Sequence, residues 1–417
     1  MTMNRKRRMA MTTKRRDAIL ACLRHQDGVR REDIGRYLEQ MGSACSKTTL
    51  VRELHVLSGI GLVERSGTGR GVRYALSRNS AQTMPVDVAA YFSKDADERS
   101  VRSEYFNFGL FDVSIHSRPV RRLTPQPTDR GRADCPSLKG WVTEKDFIGS
   151  AVLSTTLFPL KGEVSNHKGI FDELQHLLTQ DEIAGLDALN AVFRQKKAAL
   201  SPGLLRKEYE RLTVELAWKS SRIEGNTYTL LDTERLLRDN VTAAGKTVEE
   251  SRMLLNHKQA LEYVLSAPEY YRDITVRKME EIHSLLTEGL HVAPGIRSGM
   301  VGIVGTNYRP LDNRFQIRDA LEKLSDMINR TRHAVEKALL AILMISYIQP
   351  FEDGNKRTSR ILGNALLVAG GYCPLSYRSV DEVEYKKAMI LFYEQNNVSY
   401  FKQLFLEQFR AAVKNYF

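Results

Sequence analysis

The sequence predicts a mainly α-helical chain, opened by a small helix-and-hairpin module and a mixed stretch that leads into a long helical part. Three observations predict it. From about residue 180, apolar residues recur at three- and four-residue intervals, as in "RKEYERLTVELAWKSSRI" and "VEESRMLLNHKQALEYVL", which is the spacing of one helix face. Residues 14 to 78 carry three shorter helical stripes, then two strand-like runs around a glycine-rich turn. Between these parts, "SRPVRRLTPQPTDRGRADCPS" has the Pro, Arg and small-residue composition of a linker or peripheral layer. The expected divisions are 1–80 with a basic arm at 1–13, then 81–180, then 181–417 with its core at about 275–405.

Composition narrows the class. The chain has 417 residues, 42% hydrophobic and 27% charged, an ordinary globular mixture long enough for two or three domains. Its longest apolar run, Ala338 to Ile345, is far short of the roughly 20 residues a membrane span needs. The basic start "MTMNRKRRMAMTTKRR" is not followed by a continuous apolar region, so no secretory signal is expected. Cys22, Cys45, Cys135 and Cys373 are scattered without a C-x-x-C pair, which predicts a reducing cytoplasm and no structural zinc. Charge is concentrated: residues 1–78 hold 17 Lys and Arg against 7 Asp and Glu, a balance of +10 out of the chain's +12. A polyanion would be steered to that end.

Taken in order, "RRDAILACLRHQ" places Ala18, Ile19, Cys22 and Leu23 on one stripe before Asp27-Gly28 breaks it. "RREDIGRYLEQMG" is a second amphipathic helix ending at Gly42. "SKTTLVRELHVLSGIG" is a third, with Ser46 as N-cap and Gly59 as stop. "GLVERSGTGRGVRYALS" reads as a hairpin carrying Arg65, Arg70 and Arg73. This order resembles a winged helix-turn-helix domain. The resemblance implies a DNA partner, with Ser46, Lys47, Thr48, Thr49 and Arg52 of the third helix near base edges or backbone, and Arg70 and Arg73 on the wing. Such domains also dock proteins, so both readings stand, and a palindromic site would imply a homodimer.

In the middle, "FNFGLFDVSI" and "WVTEKDFIGSAVLSTTLFPL" fit either strands or buried helices. Beyond them, "DEIAGLDALNAVFRQKKAAL" and "VRKMEEIHSLLTEGL" are helical by the same periodicity. His283 in the second of these is expected to be a satisfied structural histidine.

The chemistry gathers at "SYIQPFEDGNKRTSRILGN", residues 346–364. An almost wholly apolar helix, "AVEKALLAILMISYI", precedes it, and "RTSRILGNALLVAGG" follows as a helix closed by Gly370 and Gly371. A Gly- and Asn-rich turn opening into a helix aims free backbone N–H groups and a positive dipole end at one point, which makes an anion site. Arg357 and Arg360, three apart, leave the same face and can fork onto phosphate oxygens. Asp353 is the hard oxygen ligand a phosphate-bridging magnesium ion would take.

The segment resembles the signature loop of the Fic (Fido) family, H-x-F-x-[DE]-G-N-[GK]-R-x-x-R, whose members mostly transfer AMP from ATP to a protein hydroxyl group. Phe351, Asp353, Gly354, Asn355, Lys356, Arg357 and Arg360 agree, so seven of the eight specified positions match. Gln349 stands where the family has its catalytic His. "SSRIEGN", residues 220–226, is similar to the family's inhibitory motif, with Ser220, Glu224 and Gly225 in place. The resemblance implies that Glu224 pairs with Arg360 and holds ATP unproductively. "GIRSGMVGIVGTNYRP", residues 295–310, looks like the flap hairpin, with Val301, Gly302, Ile303, Val304 and Gly305, that aligns a target segment by strand addition. The resemblance covers about residues 190–410 and implies an all-helical Fido domain, ATP and Mg2+ as cofactors, and a protein target. "SYRSVDEVEYKKAMILFYEQNN" looks like the family's terminal helices.

A glutamine amide can hydrogen-bond a hydroxyl group but has no proton-accepting nitrogen. Loss of a general base typically costs about 10² to 10⁴ in rate. Four readings follow: a slow AMP transferase, a nucleotide-responsive regulator that reports to a DNA-binding module, a nucleotide hydrolase in which Gln349 orients water, and a purely structural relic.

Overall fold

The protein is described by a computed structural model over residues 15–16, 18–23, 28–59, 62–76, 83–101, 104–107, 110 and 177–417. The Pro- and Arg-rich stretch and both ambiguous apolar runs of the middle region fall wholly or mostly outside these residues.

The N-terminal module begins with helical residues 18–23, which supply Ile19, Leu20, Cys22 and Leu23 to a small core. Strand β1 (Val29–Arg30), helices α1 (Arg31–Gln40) and α2 (Lys47–Gly59), and strands β2 (Val63–Ser66) and β3 (Arg73–Leu76) follow. The three strands form an antiparallel sheet in the order β1-β3-β2. Ile34 and Leu38 of α1 meet Leu50, Leu54 and Leu57 of α2 in the core. The Thr49 N–H donates to Ser46 Oγ at 3.3 Å, a side-chain cap for α2.

Downstream, α3 (Val88–Tyr91) precedes α4 (Gln180–Ala199), α5 (Pro202–Ile223), α6 (Leu230–Asp239), α7 (Val248–Ser266), α8 (Val276–Thr287), α9 (Arg314–Arg330), α10 (Ala334–Ile348), α11 (Asn355–Ala369), α12 (Glu382–Gln395) and α13 (Ser399–Asn415). The chain is mainly helical. Caps follow the sequence: Thr179 with Glu182 and Thr247 with Glu250 form capping boxes at α4 and α7, and Ser201 before Pro202 caps α5.

A large core unites most of these helices, and a smaller cluster joins Ala217, Tyr228, Leu236, Leu237 and Leu254. Helix α10 is buried throughout from Ala338 to Ile348, as expected of a helix that is apolar on all sides. Helix α11 packs against it so closely that a Cβ on Gly363 would lie 2.7 Å from Ile342 Cδ1, so a larger residue there would displace the Ile342 side chain. The α10–α11 pair therefore fixes the loop between its two helices. Among the described residues, no helix is long and apolar enough to cross a membrane.

The expected hairpin at 295–310 has no strand ladder. Its turn falls at Val304-Gly305; the Gly299 N–H donates to Asp312 O at 3.0 Å across its base, and the Arg309 N–H donates to Glu104 O at 2.7 Å in the stretch before α4.

Candidate functional site

The loop between α10 and α11 is built largely from main chain. Gln349 ends α10 in a left-handed conformation, φ 51°, and Gly354 opens α11 at φ 79°, where a Cβ would also crowd Thr287 Cγ2 at 3.2 Å. Asn355 closes the loop. Its Oδ1 accepts from the Phe351 N–H and its Nδ2 donates to Phe351 O, both at 2.8 Å. The Phe351 ring stacks on His283, with centroids 3.8 Å apart. His283 Nε2–H donates to Asp353 O at 3.0 Å, and burial pushes the imidazole pKa down to about 4. His283 is thus a neutral strut for the loop.

Beneath the loop lie the two arginines. Arg357 is 1% exposed. Its Nη2 donates to Asp353 Oδ2 at 2.7 Å, while Nε and Nη1 are buried without a hydrogen-bond partner. Burial draws the guanidinium pKa below its ordinary value, against the pull of Asp353 and Glu224. Arg360, fully buried, donates from Nε to Ser220 Oγ at 2.8 Å, and from Nη2 to Ser220 O at 2.9 Å and Glu224 Oε1 at 2.8 Å. Its guanidinium carbon lies 5.4 Å from the Tyr385 ring centroid. Lys356 Nζ adds a second cation 3.5 Å from Glu224 Oε2. Burial would raise the Glu224 pKa, but Arg360, Lys356 and Arg357 overcome it and hold the carboxyl down to about 2.

Ser220 has a partner that sequence reasoning did not single out. His257 of α7 donates from Nδ1 to Met253 O at 3.0 Å, so its Nε2, 2.8 Å from Ser220 Oγ, accepts the hydroxyl proton. Burial first, and then Arg357 and Arg360, depress its pKa to about 3 despite the Met253 contact. A neutral histidine thereby frees the serine oxygen to accept from Arg360.

The expected base position faces differently. Gln349 is 8% exposed and its Nε2 donates to Ser346 O at 2.6 Å, folding the amide back onto α10. Arg297 is another residue that only the fold reveals. It donates from Nε to Gln349 O at 2.7 Å and from Nη2 to Leu311 O at 2.5 Å, tying both ends of the flap segment to the loop. The loop from Gln349 to Arg357 lines a cavity of about 390 Å3, bounded also by Glu224 and Gly225 from the end of α5, by flap residues Val301 to Val304, and by Tyr385, Met389 and Tyr393 of α12. Gly305 lies at the flap turn, while Ser220 and Arg360 sit in the buried layer behind Glu224.

The cavity suits an anion. Backbone at a helix N-terminus meets an arginine whose buried Nε–H and Nη1–H groups make no hydrogen bonds, and unpaired buried donors are costly unless a ligand takes them up. Asp353, with a side chain 67% exposed, is the carboxylate placed to meet a cation carried on phosphates. Among the described residues no group of three or more His, Cys, Asp or Glu could hold a metal unaided.

Residues 273–367, from just before α8 to near the end of α11, match the model of the Fic/DOC family. This segment is similar to the Fic/DOC family. Curated relatives include proteins named "Protein adenylyltransferase Fic". That of Drosophila sechellia is 31% identical over 192 residues, 45% of this chain and 38% of the relative. That of Drosophila willistoni is 28% identical over 231 residues, 53% and 44%. The chain spans about two-fifths of the length of the curated relatives it matches. Among solved structures, Fic-1 of C. elegans aligns with a TM-score of 0.48 at 20% identity, covering 57% of this chain and 70% of that one.

Outside residues 273–367, the residues predicted to contact DNA lie on α2 and on the β2–β3 hairpin. Lys47, Thr48 and Arg52 are exposed on α2 and Thr49 is half-buried beside its cap. Arg70 lies in the 3-10 turn Gly69–Gly71 between β2 and β3. Arg73 opens β3, the second arm of the β2–β3 hairpin, and its Nη1 donates to Gly28 O at 2.8 Å. Arg30, Arg31, Arg36, His55 and Arg65 line a groove of about 920 Å3 in this module. Their charge was legible, but their convergence depends on the sheet.

Proposed function

We propose that this protein binds a nucleoside triphosphate, with Mg2+ carried on its phosphates, at the N-terminus of α11, in a site restrained by Glu224. Related Fic proteins are named adenylyltransferases, and the residues here suit an adenosine triphosphate. In this reading Gly354, Asn355 and Lys356 frame the phosphates, Arg357 forks onto them and Asp353 meets the metal ion. When bound, the nucleotide supplies a phosphorus electrophile. Glu224 holds Arg360 away from it, and Gln349, lacking a proton-accepting nitrogen, leaves transfer about 10² to 10⁴ slower than a histidine would allow.

The observation that carries the reading is Arg357, which lines the cavity while buried and charged, with two of its donor atoms unpartnered. Calorimetric titration with Mg2+ and ATP tests it. Wild type should bind, Glu224→Gly should bind tighter, and Arg357→Ala should lose binding by about 10²-fold or more, as expected for losing charge-assisted hydrogen bonds. Absence of binding in both wild type and Glu224→Gly would overturn it.

The inward turn of the Gln349 amide favours a second reading, a cytoplasmic nucleotide-responsive regulator without transfer, in which a winged-helix N-terminal module binds DNA. Its support is the +10 balance of residues 1–78 and the exposed Lys47, Thr48 and Arg52 on α2. Gln349→His separates the two: a gain in AMP transfer to protein by orders of magnitude marks a site missing only its base, and an inert variant that still binds ATP marks a regulator.

A further inference from the structure

Helix α12 ends with a buried acid. Glu394, in the last turn before Asn396, has a fully buried side chain, and a carboxylate at a helix C-terminus is opposed by the helix dipole. Its charge is met from far away in sequence. Arg99, with a side chain only 7% exposed, forks onto it from Nε at 3.0 Å and Nη2 at 2.9 Å, and Tyr91 Oη donates to the same carboxylate at 2.6 Å. The same Arg99 Nη2 also donates to Gly305 O at the flap turn, at 2.5 Å. Around it, Asn307 Nδ2 donates to Asp97 Oδ1 at 2.9 Å, and the Arg309 N–H meets Glu104 O. On its inner side the flap turn rests on α12, since a Cβ on Gly305 would lie 3.5 Å from Ile390 Cδ1. Ile390, Met389 and Tyr393 of that helix line the cavity together with Val301 to Val304.

We propose that Arg99, supplied from the stretch between the N-terminal module and α4, is a positioning residue that latches the flap turn to α12 and so sets how the flap covers the nucleotide pocket. A bidentate pair with a buried carboxylate has one favourable geometry, and the Gly305 carbonyl is held in register with it. The stretch joining the two parts of the chain is therefore mechanically connected to the mouth of the cavity. Only the identity of what the flap covers rests on the nucleotide reading. The latch is tested without nucleotide.

Hydrogen exchange on the full-length protein reads it directly. Two variants are compared with wild type: Arg99→Gln/Glu394→Gln, which removes both charges and leaves no buried carboxylate unpaired, and Asn307→Ala, which loosens the flap from Asp97 without touching the ion pair. The N–H groups of Gly299 and Arg309, which donate to Asp312 O and Glu104 O, should exchange at least tenfold faster in both variants, while residues 340–348 of α10 and 361–367 of α11 keep wild-type rates. Unchanged flap exchange overturns the latch. So does an equal acceleration across α10 and α11, which would make Arg99 a general support of the fold. Failure of wild type to bind ATP would remove the functional reading and leave these rates untouched.

Discussion

Arg357 and Arg360 of α11 are 1% and 0% exposed, whereas the side chains of Arg36 and Arg52 in the N-terminal module are 75% and 71% exposed. The same guanidinium group does different work in the two places. Buried in α11, it must be answered by named partners, and each unanswered N–H is an invitation to an anion. On the N-terminal module it is hydrated and screened, and acts through its long-range field. Net charge thus marks the N-terminal end of the chain, while the chemistry resides where the charge is hidden.

The sharpest way to break this comparison is to remove one arginine from each region. Arg360→Met leaves Glu224, its side chain 19% exposed at the cavity, without its main cation and should cost about 3 kcal/mol in urea denaturation, whereas Arg52→Met should stay within about 0.5 kcal/mol. Equal costs would mean that the buried pair is no better placed than a surface one.

Acid should act next. His257 and His283 have pKa values pushed down to about 3 and about 4, so the folded state binds fewer protons than an unfolded chain titrating near 6.5. Their contribution is complete above about pH 6.5 and declines as the pH falls through the folded values. Glu224, held down to about 2, contributes above roughly pH 4 and is lost below it. His257→Gln should flatten the limb between pH 6.5 and 4 by roughly 2–3 kcal/mol, measured by denaturation across pH. An unchanged limb would remove His257 from the network.

The smallest effect belongs to the exposed charges. If the N-terminal module binds DNA, Lys47→Gln and Arg52→Gln should each lower the slope of log affinity against log salt by about 0.9 and weaken binding similarly across sequences. Arg357→Ala should leave that slope unchanged. A shift caused by Arg357→Ala would join the two regions electrostatically.

Much of this arrangement was readable from local pattern. Helices α10 and α11 announce themselves by an apolar run and a closing Gly pair, and the loop's parts are contiguous from Gln349 to Arg360. Helix α9 had an equally clear signal, with Ile317, Ala320, Leu321, Leu324 and Ile328 buried along one face, although the sequence reading did not single it out. What local pattern could not reveal comes from distant elements. His257, Arg297, Tyr385 and Arg99 reach the site through partners 37, 52, 25 and 206 residues away, and no periodicity encodes such pairings. The flap's arms meet at its base, where the Gly299 N–H donates to Asp312 O, while Arg309 turns to Glu104, a partner that no local pattern marks.

The clamp that Asn355 places on both sides of the Phe351 peptide has a consequence for substitution. Because one side-chain amide imitates a strand neighbour, the loop's shape depends on Phe351, Gly354 and Asn355 and hardly on the side chains between them. Position 353 can therefore vary in chemistry while the main-chain cradle persists, whereas position 349 must also accept a φ of 51°. The grip and the base are separable parts, and a chain can exchange one without dismantling the other.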